Sequence, residues 1–126
     1  MKIARQNILW VDCIGGLLVG CSVLAIHSLL SKWENLPISI VLFMGVVNLL
    51  YGIFSLHVTT RTPRPAILVK ILAIANMLWV LPCIGIVCMY WPDISTVGIL
   101  FVLGEGVYVA TLGFVEWGWR SHLSED

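Results

Sequence analysis

Residues 38–58 read ISIVLFMGVVNLLYGIFSLHV, 21 positions without a single Asp, Glu, Lys or Arg, and with His57 as the only side chain able to carry a positive charge. A bilayer hydrocarbon core about 30 Å thick is crossed by roughly 20 consecutive apolar residues in a helix. The run shows no alternation of polar and apolar positions, which excludes a barrel strand and leaves a membrane-spanning helix. Pro37 stands where its missing N–H costs nothing, at the start of that helix.

Three further runs of the same kind flank it. They are residues 8–30 with Asp12, residues 66–90 with Lys70, and residues 94–117 with Glu105 and Glu116. The four spans take up 93 of 126 positions, so residues 1–126 read as one integral membrane domain. The fold class expected is all-α, an antiparallel four-helix transmembrane bundle. Arg61-Thr62-Pro63-Arg64-Pro65 and Trp91-Pro92-Asp93 cannot continue a helix and read as tight connections. Pro82 lies inside the third span and should free the carbonyl of Leu78 and kink that helix.

Composition agrees. The chain is 60% hydrophobic and 11% charged, with a mean hydropathy of +0.99 and seven basic residues against seven acidic ones. A soluble enzyme is disfavoured by that charge content, and no basic surplus is left for nucleic acid. Lys2, Arg5, Arg61, Arg64, Lys70 and Arg120 fall on one side of the membrane and only Lys32 on the other. The positive-inside rule then places both termini in the cytoplasm. Trp33, Tyr90 and Trp91 mark one interface, and Trp10, Trp117 and Trp119 the other. Lys2 and Arg5 ahead of an apolar run, with Leu18-Val19-Gly20-Cys21 further on, also permit a cleaved lipoprotein signal. Asp12 inside that run and its continuation to Leu30 argue for a retained span.

Each span carries a polar residue followed three positions later by an aromatic: Asn7/Trp10, Asn48/Tyr51, Asn76/Trp79 and Glu105/Tyr108. That spacing puts both members on one helix face. Four loose matches in a Trp-rich chain do not establish duplication. Depth is more informative, because at 1.5 Å per residue Asn48, Asn76 and Glu105 all arrive near the bilayer centre. A carboxylate there costs about 2.5–3.5 kcal/mol even on permissive scales, so Glu105 should face the interior. As a neutral acid it could donate to Asn48 or Asn76. Glu105, Asn48, Asn76, Tyr51 and Tyr108 therefore form the candidate binding or proton site, with plain interhelical hydrogen bonding as the bland alternative. A second polar layer, Asp12, Lys70, Glu116 and His57, lies toward the cytoplasmic end. It reads as structural anchoring, with an Asp12–Lys70 pair neutralising two charges.

Other chemistry finds no support in the residues. His27 and His57 are separated by most of the membrane and cannot share one haem iron, and His122 lies beyond the fourth span. No zinc or di-iron spacing occurs, and Cys13, Cys21, Cys83 and Cys88 form no Cys-x-x-Cys. Neither a phosphate loop nor a nucleophile elbow is present. The expectation is a non-enzymatic protein without metal or cofactor. It would bind a lipid, a small hydrophobic molecule or a membrane partner, and could form a homo-oligomer. The alternatives are a proton-coupled small transporter or channel subunit using Glu105, and a quinone-linked redox accessory protein.

Asp12 with Gly15-Gly16, Leu36-Pro37, Tyr51, Asn76-Met77-Leu78-Trp79-Val80, Trp91, Thr96, Gly98 and Glu116-Trp117 together resemble small bacterial four-span proteins of the DoxX-like kind. The resemblance spans nearly the whole chain and implies an antiparallel four-helix bundle in a bacterial inner membrane. It implies no activity.

Overall fold

A computed structural model describes residues 2–61 and 63–123, with side chains over 7–61 and 63–121. Thr62 of the expected connection and the side chains of Lys2, Arg5 and His122 lie outside the described residues. All regular structure among the described residues is helical: α1 Lys2–Ala25, α2 His27–Glu34, α3 Ile38–Thr60, α4 Ala66–Leu78, α5 Val80–Met89, α6 Thr96–Gly118 and α7 Arg120–Leu123. Four stretches are long and apolar enough to cross a membrane: Asn7–Ala25, Ile38–Thr60, Ala66–Met89 and Thr96–Gly118. Their outer faces carry large apolar side chains such as Leu18, Leu50, Ile67, Leu81, Leu100 and Phe114, each at least 60% exposed. A water-soluble surface does not carry such a belt.

The first span is shorter than residues 8–30. The helix bends at Ile26 (φ −118°, ψ 28°), and the His27 ring bonds the Leu24 carbonyl at 2.8 Å. Beyond the bend the sequence HSLLSKWE is amphipathic, so α2 lies over the ends of α3 and α6 instead of continuing into the bilayer. It buries Leu30 and Glu34. Asn35 closes it in the left-handed region (φ 54°), a conformation Asn tolerates. The third span is interrupted for one residue at Trp79, three before Pro82; the Trp79 backbone stays helical (φ −59°, ψ −28°), so Ala66–Met89 runs on as one span. Ser95 caps α6 by accepting from Gly98 N at 2.9 Å and donates to Trp33 O at 2.6 Å. Arg64 donates to the Val58 and Thr59 carbonyls at the end of α3, at 3.0 and 2.8 Å.

The bundle is built from two close-packed pairs, α1 with α3 and α4–α5 with α6. Lipid tails are as apolar as Leu, so helices gain little by burying Leu against Leu, and small residues that let backbones approach decide the contacts. A Cβ on Gly52 would lie 2.7 Å from Leu17 N, one on Gly20 2.6 Å from Leu49 N, and one on Gly113 2.7 Å from Ala73 O. Between the two pairs contact is sparse. That seam holds the polar side chains.

Candidate functional site

A cavity of about 60 Å³ opens in the seam at mid-bundle. Its polar wall consists of Asp12 from α1, Asn48 and Tyr51 from α3, Asn76 and Trp79 from the third span, and Glu105 and Tyr108 from α6. A water needs roughly 10–15 Å³ of such volume, so the space suits several waters or the head of a small molecule. Three of the four polar–aromatic pairs meet here, each presented by its three-residue spacing on one helix face. The fourth pair does not, since Asn7 and Trp10 are exposed.

Asn48 Nδ2 donates to Glu105 Oε1 at 2.6 Å and to the Met44 carbonyl at 2.8 Å. Trp79 Nε1 donates to the same carboxyl oxygen at 3.2 Å. Trp79 sits at the single-residue interruption between α4 and α5, one turn beyond Asn76 on the same face. On the terminal side of the cavity, Asn76 Nδ2 donates to Asp12 Oδ2 at 2.8 Å and to Glu116 Oε1 at 2.6 Å. All three of these side chains are more than nine-tenths buried. Tyr51 Oη donates to the Leu72 carbonyl at 2.7 Å.

The sequence-based grouping changes in three respects. Glu105 and Asn48 meet as expected, but Asn76 serves Asp12 and Glu116, not Glu105. Side chains on α6 lean toward its N-terminus, so Glu116 reaches about one turn deeper than its backbone position implies. Asp12 has Asn76 as its partner and forms no pair with Lys70, whose side chain is exposed along with that of His57. The helix start at Lys2 puts Asp12 in the third turn of α1, beyond the level that Lys70 occupies near the start of α4. Tyr108 is 51% exposed and stands at the mouth, where a Cβ on Gly15 would be 3.9 Å from its hydroxyl.

Hydrogen-bond capacity on the wall is unbalanced. The amides of Asn48 and Asn76, the Trp79 indole and the Tyr51 hydroxyl already donate within the protein. Behind the wall, Asn76 Oδ1 and Glu116 Oε2 are buried without a donor, and the Glu116 and Asp12 carboxyls lie within hydrogen-bond reach of each other. The partners of Asp12, Glu105 and Glu116 include no Lys, Arg or His. The site is therefore rich in acceptors and lacks cations. Among the described residues, no group of three or more His, Cys, Asp or Glu is arranged to hold a metal ion.

Sequence reasoning missed two residues. Trp79 carried a signal in its spacing from Asn76. Glu34, 5% exposed, carried none, because it sits in a polar segment that reads as a connection. Compared with protein-family models, curated proteins and solved structures, the chain matches none.

Proposed function

We propose that the protein is a membrane-embedded binding protein for a small, proton-donating or cationic molecule, which enters the mid-bundle cavity as Glu105 gives up a proton. The observation carrying this reading is the Glu105 carboxyl on the cavity wall, held by the Asn48 amide and the Trp79 indole with no basic partner. Carboxyl groups within a membrane need a proton or a cation as counterpart. The protein would sit in a bacterial inner membrane with both termini in the cytoplasm, in keeping with the basic residues at that end and with the DoxX-like resemblance. Four short helices barely enclose a pathway, so transport of the ligand would call for a homo-oligomer.

A second reading, a quinol whose hydroxyls donate to the same acceptors, is favoured by one feature. An apolar groove of about 230 Å³ along Leu18, Val19, Ile26, Leu30 and Phe101 adjoins the cavity at Val19 and would suit an isoprenoid tail.

The test is titration of the detergent-solubilised protein with methylammonium, a cation small enough for the cavity and bearing N–H donors, in weakly buffered solution. Binding with proton release is expected for the wild type, and loss of the release for Glu105→Gln. A wild type that neither binds nor releases protons overturns the cationic reading. A quinone that co-purifies and is lost in Asn76→Leu would establish the second.

A further inference from the structure

A second, smaller gap of about 10 Å³ lies between Glu34 and Glu105, walled by Val23, Val41, Met44, Phe101 and Val102. It has room for about one water. Glu34 is 95% buried, yet its carboxyl has no hydrogen-bond partner among the described residues, and it lines this gap together with Glu105. Its position is built in. Ser95 N donates to the Glu34 carbonyl at 3.0 Å, and Gly98 leaves the space, since a Cβ there would be 2.7 Å from that oxygen.

We propose that Glu34 is the proton donor and acceptor through which Glu105 exchanges with the solution at the α2 end of the bundle. This rests on the reading of Glu105 as a carboxyl that gains and loses a proton. In the loading direction the Glu34 carboxyl releases its O–H proton to a water in the gap. That water passes a proton to the Glu105 carboxylate, and the Glu34 carboxylate regains one from solution. Unloading runs the same transfers in reverse. No other bond changes.

The groups around Glu34 suit this role. The gap it lines is walled by Val23 from α1, Val41 and Met44 from α3, and Phe101, Val102 and Glu105 from α6, so Glu105 is the one other titratable group among the lining residues. Burial raises the Glu34 carboxyl to about 7, with the charge of Glu105 adding to the effect. A relay acid works best when it binds and releases its proton near the ambient pH.

Hydrogen–deuterium exchange at the Glu105 carboxyl tests the proposal. It is followed by infrared spectroscopy of reconstituted protein, with the band assigned by its loss in Glu105→Gln. Glu34→Gln is expected to slow exchange at least tenfold with an unchanged helical spectrum, and Glu34→Asp to restore most of the rate. Exchange in Glu34→Gln at the wild-type rate overturns the proposal. Equal slowing in Glu34→Asp and Glu34→Gln assigns a structural role and overturns it too. Since exchange needs no ligand, a protein that exchanges through Glu34 but binds no cation fails the binding reading alone.

Discussion

Glu34 and Asn76 show how differently single residues can be disguised in a membrane sequence. For Glu34 the folded-state pKa, about 7, lies above the ordinary carboxylic value, so the folded protein holds this proton more tightly than the unfolded chain. The stabilisation is fully present below about pH 4.5 and is lost as pH rises toward 7. Thermal unfolding in detergent should therefore show a wild type that loses up to about 3 kcal/mol across that window relative to Glu34→Gln. A difference between the two proteins that does not vary with pH would contradict the assignment. For Asn76 the expected loss in Asn76→Ala is about 1–3 kcal/mol, since two carboxyl groups lose their shared donor. Depth arithmetic suffices to find Asn48 and Glu105, because α3 and α6 run in the same direction and their side chains lean alike. It fails for the partners of Asn76, where the lean of the Glu116 side chain adds a turn that residue counting omits.

At the scale of the helices, the spans are legible because long apolar runs admit one explanation in a bilayer. The bend at Ile26 is not legible, since Leu29 and Leu30 carry the apolar run past the point where the chain turns aside. Proline gives the clearer signal, and the break at Trp79 falls in the turn that Pro82 disrupts. Pro82→Ala should restore an α5 amide bond to the Leu78 carbonyl and tighten the turn around Trp79. The contact of the Trp79 indole with Glu105 would shift with it, with weakened methylammonium binding as the readout. Glycine spacing points to close contacts, but only the structure separates the glycines in contact from the idle ones. Gly52→Ala must push against backbone at Leu17 and should cost about 1–3 kcal/mol in unfolding experiments. Gly104 has nothing within 4 Å of a built Cβ, so Gly104→Ala should be neutral or gain up to about 1 kcal/mol from helix propensity.

Across the whole molecule, two kinds of adhesion divide the labour. Within each close-packed pair, glycines bring backbones together. Between the pairs, the side-chain bonds are polar: Asn48 to Glu105, Asn76 to Asp12, and Tyr51 to the Leu72 carbonyl. The sequence announces the polar residues but not the seam, because the pairing of four similar helices is set by which small residues face which neighbours. The seam also orders the assembly. Each half, residues 1–61 or 63–126, carries its own glycine contacts, whereas the hydrogen bonds that join the halves exist only once both are inserted. Severing the chain at Thr62 and co-expressing the fragments should then yield a reconstituted protein. Its recovery on affinity purification should fall when Asn48 and Asn76 are both replaced by Leu, since fragment complementation in this chain draws its specificity from the same polar groups that line its cavity.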